Sequence, residues 1–201
     1  MDRDLVRRLI GSQFPGWAHL AVTPVPVDGW DHRSFRLGDT MVVRLPSAPE
    51  YAAQVAKEQR WLPTLAPLLP LPIPEPLALG APSEGYPFPW SVYRWLDGET
   101  AATGNVRDPQ RFAAVLAGFL AALQRIDPRG GPAPGAHNFH RGGALATYDD
   151  EARQAIARLA DSIDAGAARR LCESAVHTTW QRDPVWVHGD VSAGNLLVRD
   201  G

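Results

Sequence analysis

The sequence predicts an α+β protein with a strand-rich first half and a helix-rich second half. Three observations lead there. Between Ala18 and Pro46 the apolar residues fall in short runs separated by turn formers. Beyond Asp108 they recur at helical spacing. A hydrophobic fraction of 45% over 201 residues is enough for a real core.

In order along the chain, Leu5, Val6, Leu9 and Ile10 predict an amphipathic helix over 2–13, stopped by Pro15-Gly16. Strands are expected at 21–25, 34–37 and 41–45, with turns at Asp28-Gly29 and Gly38-Asp39. The last two strands read as a hairpin, because only Gly38-Asp39-Thr40 separates them. Residues 50–62 return to helical spacing, with Ala52, Val55 and Leu62 inside, and Pro63 is expected to end the helix or start another. The stretch from Pro67 to Pro89 holds eight of the nineteen prolines, so it leaves room only for short strands, at 78–80 and at Trp90–Arg94. Trp95-Leu96-Asp97-Gly98 looks like a connection between two lobes.

Asp108-Pro109 is a strong helix start, with the aspartate as N-cap and the proline in the first turn. Phe112, Val115, Leu116, Phe119, Leu120, Leu123 and Ile126 then form one apolar stripe. A Gly/Pro-rich loop covers 128–143, and helices are expected at 149–163 and 165–179. Ile156, Leu159, Ile163, Leu171, Cys172, Ala175 and Val176 mark their inner faces. A strand-like Val185-Trp186-Val187 enters His188-Gly189-Asp190, and a short strand, Leu196-Leu197-Val198, leaves Asn195.

A formal charge of −2 argues against nucleic acid as a partner. The single cysteine, Cys172, excludes an internal disulfide framework and fits a reducing cytoplasm. The charged start, Met1-Asp2-Arg3-Asp4, is unlike a signal peptide, and no apolar run approaches the length of a membrane span. Nineteen arginines face a single lysine, Lys57, so chemistry that demands lysine has one place to look.

A carboxylate and a carboxamide five positions apart, at the two ends of a tight loop, suit phosphoryl transfer. Asp190 would orient the attacking hydroxyl, and the Asn195 amide oxygen, which does not titrate, would take a Mg²⁺ position. His188 either holds the loop by donating to backbone or moves a proton itself. Glu58 sits in the middle of an apolar helix stripe, which is costly unless it is paired. Arg44 follows Val42-Val43 on a strand. Pairing the two satisfies both, at an expected distance of about 2.7–3.2 Å when nucleotide is bound, and leaves the guanidinium able to meet a phosphate.

With those residues in view, Val187-His-Gly-Asp-Val-Ser-Ala-Gly-Asn-Leu-Leu-Val198 resembles the catalytic loop of the aminoglycoside phosphotransferase family, small-molecule kinases with a protein-kinase-like fold. Met41-Val42-Val43-Arg44-Leu45-Pro46, Glu58 with Trp61-Leu62, Pro72-Ile73-Pro74-Glu75-Pro76 and Trp95-Leu96-Asp97-Gly98 are similar to further family landmarks in the expected order. The resemblance implies two lobes, residues 1–94 binding nucleotide and 95–201 forming part of a catalytic and substrate lobe. It implies Asp190 as catalytic base, Asn195 as a magnesium ligand, and ATP with Mg²⁺ as cofactors. Arg44 stands where the family commonly has lysine. Gly29 and Ser34, in the hairpin position without a G-x-G-x-x-G pattern, would approach phosphates. The backbone of Val92, Tyr93 and Arg94 would meet the base. Trp30, Trp90 and Trp95 are candidates for an apolar cleft or for core packing.

The expected reaction is transfer of the ATP γ-phosphate to a hydroxyl of a small polar molecule, an aminoglycoside among the options. A non-catalytic nucleotide-binding or interaction protein is the alternative, and a metallohydrolase built on His188 and Asp190 lacks further histidines. A second magnesium carboxylate is expected beyond Asp200-Gly201, on a strand that would follow that turn. On this reading the 201 residues are the front part of a kinase-like protein, inactive alone, with incompletely covered helix faces that favour self-association.

Overall fold

The computed structural model describes residues 1–26, 29–103 and 105–199. The expected Asp28 turn position and the Asp200-Gly201 turn lie outside the described residues. Two compact units are present: Met1–Ile126 with Asp190–Gly201, and Asp127–Gly189.

The first unit is built on a five-stranded antiparallel sheet. Its strands are β1 (Val22–Pro24), β2 (His32–Leu37), β3 (Met41–Pro46), β4 (Pro76–Gly80) and β5 (Trp90–Arg94), in the order β1-β2-β3-β5-β4. The β2–β3 hairpin pairs Leu37 with Met41 across the three-residue turn, as its sequence predicts. Alternation sets the two faces. Phe35, Leu37, Val43, Leu45 and Val92 point to one side and are buried there against Val6, Leu9 and Ile10 of α1 (Arg3–Gln13). Each of these side chains contributes about 1.5–3 kcal/mol by leaving water. Asp2 caps α1 by accepting from the Leu5 amide at 2.9 Å. Trp90 is fully buried in this core, so it is packing and not cleft, whereas Trp30 is 91% exposed.

The opposite sheet face carries Ser34, Val42, Arg44, Ser91 and Tyr93 in register. α2 (Pro49–Leu65) reaches it through Gln59, whose amide donates to Ser91 Oγ at 2.9 Å and to the Ala78 carbonyl at 3.0 Å. Contrary to expectation, Pro63 does not end this helix. Within the last turn it removes only the bond to the Gln59 carbonyl, and buried Leu65 anchors the residues beyond it.

Past β5, β6 (Glu99–Thr100) pairs antiparallel with β7 (Leu197–Val198). Between them in sequence, α3 (Pro109–Arg125) starts as predicted, with Asp108 Oδ1 accepting from the Arg111 amide at 2.9 Å. Of its apolar stripe only Phe119 and Leu123 are buried, and Val115 stays 44% exposed.

The second unit holds α4 (Asp149–Arg158) and α5 (Ala165–Val176), each shorter than its periodicity suggests. α4 ends at Arg158, and the chain then turns, the Ser162 and Ile163 amides both donating to the Leu159 carbonyl at 2.8 and 3.1 Å. Asp164 caps α5, accepting from the Ala167 amide at 2.8 Å. Arg153 ties the two helices, 2.8 Å from Asp149 and 3.6 Å from Glu173. Leu159, Ile163 and Leu171 stay exposed, Leu171 to 71%. The expected strand at 185–187 does not form. Trp186 is held by its side chain, the indole donating to the Asp127 carbonyl at 3.1 Å.

Candidate active site

Arg44 lies inside β3, opposite Ser34 of β2 and Ser91 of β5, on the face turned away from the α1 core. A cavity of about 550 Å³ opens there, bounded by Val25, Val42, Arg44, Tyr93, Trp95 and Leu197 among others. Its wall is mostly apolar, and Arg44, Arg94 and Glu99 are the charged residues among those that line it.

Three groups surround the Arg44 guanidinium. Glu58 of α2 places Oε2 3.6 Å from Nη1. That makes an ion pair, longer than the direct hydrogen bond expected with nucleotide bound. The same carboxylate oxygen accepts a hydrogen bond from the Tyr93 hydroxyl. His32 places Nδ1 3.3 Å from Nη2. The Tyr93 ring lies beneath the guanidinium carbon at 5.3 Å. Burial, and then the neighbouring Glu58 charge, push the Tyr93 phenol up, so it remains a donor. Burial, and then the Arg44 charge, push His32 down to about 3. Spacing and composition reveal neither partner: His32 reads as part of a turn, and Tyr93 as a strand residue valued for its backbone.

Along β5, Val92 turns its side chain into the core, and its main chain lies between the β3 and β4 ladders. The Arg94 amide donates to the Glu75 carbonyl at 2.9 Å, and the Trp95 amide to the Thr40 carbonyl at 2.8 Å. The Arg94 side chain pairs with Glu75, Nε to Oε2 at 2.7 Å, which holds the Glu75 carboxyl below its usual range. Sheet pairing therefore occupies this backbone up to the cavity edge. Leu96, which also lines the cavity, has no hydrogen-bond partner among the described residues. Trp95 is stacked by Arg36, whose guanidinium carbon is 4.3 Å from the ring centre.

Gly29 is exposed at the approach to β2, its carbonyl accepting from Arg33 Nη1 at 3.0 Å. A Cβ there meets nothing within 4 Å, so no steric demand selects glycine at this position. Ser34 faces Arg44 across the β2–β3 ladder.

The Asp190–Asn195 loop closes on itself. The Ser192 amide and the Asn195 side-chain nitrogen both donate to the Asp190 carbonyl at 3.1 Å, and the Asn195 amide donates to the Ser192 carbonyl at 3.0 Å. With its nitrogen fixed, Asn195 keeps Oδ1 as the end left to accept or to coordinate, which fits a hard cation such as Mg²⁺. Among the described residues no group of three or more His, Cys, Asp or Glu is arranged to hold a metal ion. β7 anchors the loop to the connection after β5: Gly98 has φ +141°, and a Cβ there lies 3.1 Å from the Val198 carbonyl oxygen. His188 is the next-to-last residue of the second unit and is exposed. Gly189 beside it has φ +80°, and a Cβ there meets the Arg141 side chain at 3.2 Å, so glycine is required.

Among solved structures, the chain is similar to the GDP complex of a mutant aminoglycoside 2'-phosphotransferase-IIIa, with 22% identity and a TM-score of 0.76, covering 98% of this chain and 67% of that one. It is similar to the apoenzyme of a macrolide 2'-phosphotransferase, MphH from Brachybacterium faecium, with 24% identity and a TM-score of 0.62, covering 99% and 68%. A third is the streptomycin–ATP–APH(2")-IIa ternary complex, with 16% identity and a TM-score of 0.59, covering 100% and 67%. At these identities the likeness establishes the fold, the kinase-like α+β arrangement expected from the sequence. A comparison with curated proteins returns no match. Among the described residues no helix is long and apolar enough to cross a membrane. The sequence model of the phosphotransferase enzyme family matches residues 22–201, from the edge of β1 through the Asp190–Asn195 loop, and this chain belongs to that family.

Proposed function

We propose that the protein transfers the γ-phosphate of ATP to a hydroxyl of a small polar molecule. An aminoglycoside is the first substrate class to test, and a macrolide the second. The observation that carries this reading is Arg44, braced by Glu58 and opening on a cavity that Leu197, two residues past Asn195, also lines. A cation at one wall and the loop's strand at another give a nucleotide a phosphate end and a reacting end within one unit. Solved relatives of this fold include complexes with GDP and with ATP and streptomycin, which supports a nucleotide in that cavity.

In this reading residues 1–94 hold the nucleotide, and 95–201 form part of the catalytic lobe. The base packs between Val42 and Leu197 and meets main chain at Trp95-Leu96, with Val92, Tyr93 and Arg94 shaping the wall behind it. Arg44 meets the phosphates, and Gly29 and Ser34 belong to the hairpin that covers them. Asp190 takes the proton of the acceptor hydroxyl as the new O–P bond forms and the bond to the β-phosphate oxygen breaks, releasing ADP. His188 holds the entry to the loop. Asn195 would hold Mg²⁺ in part, and the ion would supply neutralisation of the phosphate charge.

The test is Mg²⁺-dependent ADP release from the full-length protein against a panel of aminoglycosides and macrolides. Asp190→Asn is expected to lower turnover by ~10²–10⁴-fold, the scale of a positioned acid–base group, while leaving ATP affinity nearly unchanged. Turnover equal to the parent's would remove Asp190 from the mechanism.

A further inference from the structure

We propose that His32 is a positioning residue for the phosphate-binding arginine: its neutral imidazole accepts a hydrogen bond from Arg44 and aims the guanidinium into the cavity. The inference rests on the reading above, in which Arg44 meets the phosphates.

The geometry leaves one arrangement of protons. Arg44 is a permanent cation with donors and no acceptor. An imidazole nitrogen 3.3 Å from Nη2 must therefore present its lone pair, which puts the ring proton on Nε2. His32 is 5% exposed at the first position of β2, paired in register with Pro46, so the sheet fixes its backbone. A protonated ring would set two cations against each other in a buried place. The depressed titration of His32 agrees with a ring held neutral.

Glu58 alone does not fix the fork. At 3.6 Å from Nη1, and sharing its oxygen with the Tyr93 hydroxyl, it attracts Arg44 without defining the plane of the guanidinium. His32 adds a second point of attachment on the other terminal nitrogen. Two partners on two nitrogens, one from the hairpin and one from α2, restrict rotation about the Cδ–Nε bond. The donors not engaged by either are those available to phosphate oxygens. A guanidinium aimed beforehand loses less side-chain freedom when the ligand arrives.

The experiment measures Kd for ATP, ADP and adenosine on the full-length protein for the parent, His32→Leu, His32→Asn and Arg44→Ala, together with KM for ATP and kcat. His32→Leu removes the acceptor and is expected to weaken ATP and ADP by roughly 5–20-fold, the low end of the scale for one hydrogen bond to a charged group, because the effect reaches the phosphates only through Arg44. The change should appear in KM more than in kcat, with adenosine affinity unchanged. His32→Asn places an amide oxygen near the Nδ1 position and is expected to recover most of the loss. A purely structural role would weaken adenosine and ATP alike and would give no recovery with asparagine. If Arg44→Ala leaves ATP affinity intact, the phosphate assignment itself fails. If Arg44→Ala weakens ATP but folded His32→Leu does not, only the role of His32 is overturned. Nitrogen NMR of the parent's histidines gives a measurement that survives if the leucine variant does not fold. A neutral ring with its proton on Nε2 at neutral pH supports the proposal, and a protonated ring or a proton on Nδ1 refutes it.

Discussion

Replacing Arg44 by alanine is the most direct test of the candidate site, because two consequences of different size follow from one side chain. The first is lost affinity for phosphate. Two unit charges about 4 Å apart attract by about 4 kcal/mol at an effective dielectric near 20 and about 1 kcal/mol in bulk water. The Arg44 side chain is 29% exposed, between these limits, so a loss of about 2–3 kcal/mol is expected. That corresponds to roughly 30–150-fold in the Kd of ATP. The second consequence is stability. Glu58, with 19% of its side chain exposed, loses its cation but keeps the Tyr93 hydroxyl and some water, so the cost should be about 1–2 kcal/mol. For a chain of this size that is about 2–8 °C in melting temperature. Titration calorimetry with ATP, ADP and adenosine, beside thermal unfolding without ligand, separates the two effects. Arg44→Lys should restore much of the affinity through its charge, but one ammonium cannot serve His32 and Glu58 as two guanidinium nitrogens do. Equal losses for adenosine and ATP, or no loss for ATP, would refute the placement of phosphates at Arg44.

Three further outcomes are expected. Tyr93→Phe keeps the ring beneath Arg44 and removes only the hydroxyl donated to Glu58, so it should cost about 1.5 kcal/mol and lower the melting temperature by about 3–6 °C; an unchanged melting temperature would show that this hydrogen bond adds nothing. His32 makes stability depend on pH: the unfolded chain takes up its proton near 6.5 and the folded chain only near 3. Stability should therefore fall as pH drops through that window, by up to about 1.4 kcal/mol per pH unit, with no contribution above it. Asp2, Glu75 and Asp127, whose carboxyls are also held low, act in the same direction, so the comparison is urea unfolding of the parent against His32→Asn, with a shallower slope for the variant. Gly98→Ala, at φ +141° and against the Val198 carbonyl, should cost about 1–3 kcal/mol and lower kcat by loosening β7 behind the Asp190–Asn195 loop; parent-like stability and turnover would show that the loop does not depend on this contact.

The sequence by itself determined what local rules govern. Turn formers and prolines bounding short apolar runs placed β2, β3 and β5, two of them to within a residue at each end, and the register holds because a one-residue slip would turn Val43 and Leu45 out of the core. Asp108 and Pro109 fixed the start of α3 through cap chemistry that needs no distant partner. The cost of a carboxylate in an apolar stripe pointed Glu58 to Arg44, and the spacing of a carboxylate and a carboxamide in one tight loop singled out Asp190 and Asn195, which the family resemblance then supported. Tertiary structure decided everything that depends on who is across the gap. Residues 185–187 are apolar enough for a strand but form none, whereas Leu197–Val198 pairs with Glu99–Thr100 far away in sequence. The helical periodicity over 149–163 is broken at Arg158, where the Ser162 and Ile163 amides turn back onto the Leu159 carbonyl. The backbone of Val92, Tyr93 and Arg94 is paired with β3, β4 and Glu75, so the proposed contact with the base lies just beyond it, at Trp95-Leu96. Glu58 shares one oxygen between Arg44 and Tyr93, and His32 completes the set from another strand. Periodicity reports which face a residue occupies; only the folded sheet, stacking β2 beside β3 and α2 above them, shows which polar groups on that face come close enough to share a proton.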